Sequence, residues 1–307
     1  ELLFLDLPLL TGDELPHAPH VAAAGRPWPG SIALYGAPQD SNYALHDILD
    51  EPATIGVTQT ALARGPVGIW DRQGGVEVAL INGALSAALH EAVLAGANTL
   101  AIGDGASDQW EILQFQNATP LSERVYNLSG LLRGQAGSHG LMPDTWPAGS
   151  RVVVLNSALK QVVLPTASRG IERHYRFGPA NQPMSDASFR YETKVFGGNG
   201  LRPYPVAHLR AQRNGADVAF TWIRCSRIDG DIWADGDVPL GEDSEKYRVR
   251  VLRFGSVVRQ ETVTVPRWTY SGAQLTADIG SGFYTVEIAQ ISARFGAGLP
   301  AEILKYL

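Results

Sequence analysis

The chain has 307 residues, a net charge of −6, 33 glycines and only 18% charged residues. That length allows two or three domains with sizeable cores, and the apolar, weakly charged composition excludes a disordered chain. Excess negative charge argues against direct nucleic-acid reading, and no apolar run approaches the roughly 18 residues of a membrane span. The single cysteine, Cys225, excludes an internal disulfide framework and a multi-Cys zinc site.

Taken in order, the predicted elements are nearly all strands. Residues 2–10 form an apolar β-like run without the basic start or cleavage site of a signal peptide, and read as an edge strand cut from a longer chain. Its missing ladder is expected from upstream chain or from another subunit. Short strands follow at 21–25 and 31–35, separated by the rigid corner Arg26-Pro-Trp-Pro-Gly30. Residues 54–60, 67–70 and 76–81 continue the series, with Gln73-Gly-Gly75 read as a hairpin turn. The clearest helix is 86–95, with Ser86 as its cap, Leu89, Ala92 and Val93 on one face, and Gly96 as its stop. Strands are expected at 99–103 and 110–116, then at 124–132, 151–155 and 161–165. The Pro-, Gly- and Asn-rich stretch 175–204 reads as a sheet margin running into a linker near Gly197-Gly-Asn-Gly200.

From residue 201 onward a period of two dominates. Val218, Phe220 and Trp222, then Tyr247, Val249 and Val251, then Val263 and Val265, then Tyr284, Val286 and Ile288 each point one way along an extended segment. Turn dipeptides such as Phe254-Gly255 and the run Gly280-Ser-Gly282 separate them. The predicted fold class is therefore mainly β, ending in a two-sheet sandwich with Trp222, Tyr247 and Tyr284 in its core.

Chemistry is sparse. Asp229, Asp231, Asp235 and Asp237 place four carboxylates in one short run, but Trp233 and Ala234 occupy places where a calcium loop needs an oxygen ligand and a glycine. An acidic loop between sandwich strands is the preferred reading. His17 and His20 flank Pro19, which prevents a helical pair of metal ligands. His90-Glu91 lacks the second histidine of a metalloprotease helix, and Gly134-Gln-Ala-Gly-Ser-His-Gly140 lacks the Lys-Ser/Thr end of a phosphate loop. No Gly-x-Ser-x-Gly elbow is present. No cofactor, metal site or catalytic residue is expected.

Several blocks together resemble one family. They include Phe4-Leu-Asp-Leu-Pro-Leu-Leu10, Pro27-Trp-Pro-Gly30, Trp110-Glu-Ile-Leu-Gln-Phe115 and Leu128-Ser-Gly-Leu-Leu-Arg-Gly-Gln135. The second half adds Gly200-Leu-Arg-Pro203, Thr221-Trp-Ile-Arg224 and Val238-Pro-Leu-Gly-Glu242. They resemble the C-terminal part of the large tail-tip hub protein of gene transfer agents and related siphophages. The chain departs from the family at Gly137-Ser138, where Gly-Thr is usual, and at Cys225-Ser226, where basic and hydroxyl residues are usual.

The resemblance implies hub-type β-domains at 1–120 and 121–200, followed by a fibronectin type III-like sandwich at 201–307. It further implies a homotrimer in the virion tail tip, made in the bacterial cytoplasm. Its partners would be the distal tail and hub proteins and a bacterial cell-surface receptor or envelope glycan. The implied role is structural and non-enzymatic: closing the distal tail, attaching to the host surface and opening for DNA delivery. Longer relatives carry a glycosidase-like barrel, but no β/α alternation occurs here and no such activity is transferred. Arg133 is expected to pair with a carboxylate at an interdomain corner. Two other readings remain. A carbohydrate-binding module would use Trp233 and Trp268 as exposed platforms. A glycoside hydrolase accessory fragment would need two of the Asp229–Asp237 carboxyls about 5 Å or about 6.5–9.5 Å apart across a cleft.

Overall fold

A computed structural model describes residues 1–228 and 239–307. It is nearly all β, with several sheets and a closed barrel. The chain divides into two compact units, Glu1–Gly200 and Leu201–Leu307.

The first unit opens with β1 (Leu2–Leu5), β2 (His20–Ala23), β3 (Ile32–Ala37) and β4 (Ala44–Leu49). Next come β5 (Ile55–Thr58), β6 (Leu62–Ala63), β7 (Asp71–Leu80) and the short helix α1 (His90–Leu94). Then follow β8 (Thr99–Gly103), β9 (Trp110–Ser122), β10 (Val125–Gln135), β11 (Thr145–Trp146) and β12 (Arg151–Val154). β13 (Lys160–Gln161), β14 (Arg173–Pro179) and β15 (Arg190–Lys194) complete it.

Six antiparallel strands close a barrel in the order β10-β7-β5-β12-β8-β9, which removes the open edges a flat sheet would expose. Its interior is filled by Val76, Val78, Leu100, Ile102, Leu113, Phe115, Leu128, Leu131 and Val152. β1, β2 and β13 form a small sheet with β1 at one edge, laddered to β2 of the same chain. Leu3 and Leu5 of β1 pack with Ile55, Ala101 and Val153 of the barrel wall, while Leu2 and Phe4 pack with Leu34, Tyr175 and Phe177. Burial on both faces explains why β1 reads as an unbroken apolar run and not as an alternation. Tyr175 and Phe177 belong to the third layer, a sheet ordered β15-β14-β3-β4.

Several expected elements differ. Residue 120 lies within β9, which pairs with β10 along most of its length, so a division at 120–121 would cut through the barrel. Residues 67–70 form no strand beyond a single bridge from Val67 to Arg133. Gln73, Gly74 and Gly75 lie inside β7, where the Asp71 carboxylate accepts from the backbone N–H of Gln73 and Gly74. An added Cβ at Gly74 would lie 2.2 Å from Asp71 Oδ2, so the glycine serves close approach and not a turn. The helix expected at 86–95 shrinks to α1. Ser86 caps nothing: its carbonyl accepts from Asn98 Nδ2, and Ala88 N–H donates to Gln116 O, holding 86–88 against β9. The stretch from 175 contributes the end of β14, whose Tyr175 and Phe177 are core, and then β15, the edge strand of the sheet, before the unit ends at Gly200.

Burial pushes the Tyr175 hydroxyl up to about 12. An unfolded tyrosine ionises near 10, so the folded protein holds its full tyrosine contribution below about pH 10 and loses it as pH rises toward about 12. The loss should approach 3 kcal/mol, about two pKa units. Urea midpoints at pH 9 and pH 11 should show about half of it, since pH 11 lies midway between the two pKa values, and Tyr175→Phe should show a visibly smaller alkaline drop. Equal drops in both proteins would refute the assignment.

The second unit comprises β16 (Ala207–Asn214), β17 (Asp217–Ile223), β18 (Tyr247–Arg253), β19 (Ser256–Val263) and β20 (Arg267–Tyr270). Helix α2 (Gly272–Asp278), β21 (Phe283–Ser292), β22 (Gly296–Ala297) and β23 (Ala301–Tyr306) follow. One sheet is ordered β16-β17-β20. The other is ordered β19-β18-β21, with β23 also on β21. This is the strand arrangement of a fibronectin type III-like sandwich. Ser271 and Gln274 form a reciprocal capping box that starts α2, while Leu275 and Ile279 are buried in the core.

Candidate functional site

Arg133 lies inside the first unit with zero exposure. Its Nε donates to Glu111 Oε1 at 2.7 Å and its Nη2 to Glu111 Oε2 at 2.8 Å, a two-pronged pair. Nη1 donates to Ala63 O at 2.9 Å. Glu111, also fully buried, accepts in addition from Trp146 Nε1 at 2.6 Å and Gly134 N at 3.2 Å. The knot therefore joins β6, β9, β10 and β11, and it sits within the unit, not at a corner between two domains. It leaves no open coordination position, and what it supplies is a fixed barrel end. Nothing in the sequence singled out Glu111, because it stands in a strand whose residues are buried on both sides.

Trp222, Tyr247 and Tyr284 occupy the sandwich core. Trp268 is buried there too, which corrects its reading as an exposed sugar platform. The alternation of Arg267-Trp-Thr-Tyr270 turns Trp268 and Tyr270 inward, and the Trp268 indole N–H donates to Glu261 at 2.9 Å. Asp229, Asp231, Trp233, Asp235 and Asp237 lie outside the described residues.

Among the described residues no group of three or more His, Cys, Asp or Glu side chains converges as a metal site. His17 Nε2 bonds Leu164 O at 2.8 Å, and burial pushes the His20 imidazole below its usual range, toward the neutral form. Burial likewise pushes the Cys225 thiol up, away from the reactive thiolate. A shallow cleft of about 560 Å³ is lined by Arg26, Asn82, Glu123, Arg124 and Tyr126, and Glu123 pairs with both arginines. No described helix is long and apolar enough to cross a membrane.

The chemistry gathers on two solvent faces. On the sandwich, Phe283 and Tyr306 are 60% and 66% exposed and meet edge to face at 4.9 Å. On the first unit, the solvent face of β15-β14-β3-β4 carries the row Leu45, Tyr35, Arg176 and Tyr191, matched strand to strand. The Arg176 guanidinium lies between two rings, 5.2 Å from the centre of Tyr43 and 5.4 Å from that of Tyr191. Asp40 accepts from Tyr43 Oη at 2.6 Å and from Arg176 Nη2 at 3.1 Å. Those two bonds, the tyrosine's first, hold the Asp40 carboxyl below its usual range. His174 Nδ1 lies 2.7 Å from Tyr191 Oη. None of these residues was singled out from sequence, because strand pairing brings them together from segments more than 130 residues apart.

Residues 53–153 match the family model described as Rcc01698-like, C-terminal. That segment coincides almost residue for residue with the barrel strands, Ile55 to Val154. No curated protein matches the chain. Among solved structures, the chain is similar to domains d3–d4 of the rat CD45 extracellular region, at 12% identity and a TM-score of 0.25, over 50% of this chain and 72% of that one. So weak a superposition leaves the fold to be described by its own strand order.

Proposed function

We propose that the chain is a structural, non-enzymatic component of the tail tip of a phage or gene-transfer-agent particle. One observation carries the reading: the segment that matches the Rcc01698-like C-terminal family, which is associated with gene transfer agents and phage-related proteins, is the segment that closes the barrel. In this role the first unit is a hub body that contributes to closing the distal tail, and the sandwich presents loops and surfaces for host attachment and DNA delivery. The assembly is a homotrimer in the virion, contacting distal tail and hub proteins.

An exposed apolar zone supports assembly. Val67, Ile69, Leu89 and Leu94 are 47–76% exposed, in the two segments that the Trp70–His90 stack brings together, and apolar side chains this open to water suit cover by a partner surface. Light scattering of the purified chain should give a trimer, and the trimer should bind tail particles lacking it. A monomer, or trimers that ignore tail particles, would overturn the reading.

A further inference from the structure

The solvent face of β15-β14-β3-β4 has more chemistry than stability requires. The Arg176–Asp40 pair is 35% and 50% exposed in its side chains, and an ion pair so open to water adds little to folding. Tyr191 is 45% exposed and Leu45 51% exposed in the same cross-strand row, while the opposite face of this sheet buries Leu34, Tyr175 and Phe177. Arg176 and Tyr191 stand on β14 and β15, while Tyr43 and the Asp40 carboxylate come from the turn between β3 and β4, so aromatic faces, a carboxylate and a guanidinium share one surface.

The charges on that surface cancel within the cluster: Arg176 against Asp40. A ligand suited to it needs no net charge. It needs an apolar face to lie against Tyr191 and Tyr43, and a rim of groups that both donate and accept. Asp40 supplies acceptor capacity, the N–H groups of Arg176 not turned to Asp40 supply donors, and the Tyr43 hydroxyl, whose proton goes to Asp40, offers acceptor capacity only. A pyranose ring has this amphipathic pattern: C–H bonds on its face and hydroxyls at its edge. A nucleic acid or anionic polymer would instead seek uncompensated cations.

We propose that the Tyr43–Arg176–Tyr191 face is a binding site for a neutral glycan, with sugar rings laid on the tyrosines and their hydroxyls bonded to Asp40 and Arg176. The inference stands on this face alone and does not depend on tail assembly.

Isothermal titration of the full chain with neutral maltohexaose, cellohexaose, mannohexaose and chitohexaose, and with anionic hexagalacturonate, tests it. At least one neutral sugar should bind, more tightly than hexagalacturonate. Tyr191→Leu, which keeps the strand's apolar cover, and Asp40→Asn should each weaken that binding about tenfold. Phe283→Ser on the other unit should leave it unchanged, and circular dichroism confirms that each variant is folded. No binding of any neutral sugar, tighter binding of hexagalacturonate, or binding indifferent to both face variants would overturn the proposal. The titration reads the same way whether or not the chain joins tail particles, so the two proposals fail separately.

Discussion

Arg133→Ala should lower the stability of the first unit by about 3–5 kcal/mol, the cost of leaving a buried charge without its partner. Glu111 and Arg133 are both fully shielded from water, and alanine would leave the carboxylate with only the Trp146 indole and the Gly134 amide. A domain holds about 5–15 kcal/mol in total, so the variant should be partly unfolded or have a sharply lower urea midpoint. Trp146, bonded directly to Glu111, provides the fluorescence signal. Glu111→Gln should cost a comparable amount, because it leaves the buried Arg133 charge uncompensated and turns amide N–H groups toward the Arg133 and Trp146 donors. Replacing both charges, as Glu111→Leu with Arg133→Met, should recover part of the loss. Recovery would be incomplete, since Ala63 O, Gly134 N and Trp146 Nε1 would lose their partner atoms. A shift below about 1 kcal/mol for Arg133→Ala would mean that water reaches the knot in solution.

The sandwich strands were legible because each is buried on one face only. Val218, Phe220 and Trp222 alternate with exposed or half-buried neighbours, and so do Tyr247, Val249 and Val251. The first unit was harder to read for the opposite reason. β1 and the first half of β9 are buried residue after residue, which erases the period and hides Glu111 among apolar neighbours. Gly74 and Gly75 misled because glycine signals either a tight turn or a close approach, and only the Asp71 carboxylate beside Gly74 decides between them. Tyr175 and Phe177 were masked by a Pro- and Gly-rich neighbourhood, although the β3–β14 pairing makes them core. The glycan face suffered most. Tyr35, Arg176 and Tyr191 are ordinary residues in three separate segments, and register across long-range pairs is what aligns them. Trp268 was a misreading that local pattern alone would have corrected, since the inward alternation continues to Tyr270.

Trp222→Ala should cost residues 201–307 about 3–5 kcal/mol, the range for truncating a large buried aromatic. Trp222 is 4% exposed and meets Tyr247 edge to face at 5.1 Å, so one side chain ties β17 of the first sheet to β18 of the second. Other aromatic contacts of the same core run through Phe220–Trp268, Trp268–Tyr270 and Tyr270–Tyr284, so the close-packed rings hold one another and collapse little into the void. Thr221→Ala, one position along and exposed, should change stability by no more than about 0.5 kcal/mol. Hydrogen exchange on the full chain locates the loss. Amides of β18 and β21 should lose protection in Trp222→Ala while those of the barrel strands β8 and β12 keep theirs, because the first unit has its own cores and its own buried knot. Equal loss in both units would show that they unfold as one cooperative body. The Arg133 variant would then have to loosen the sandwich as well, a consequence the same measurement can check from the other side.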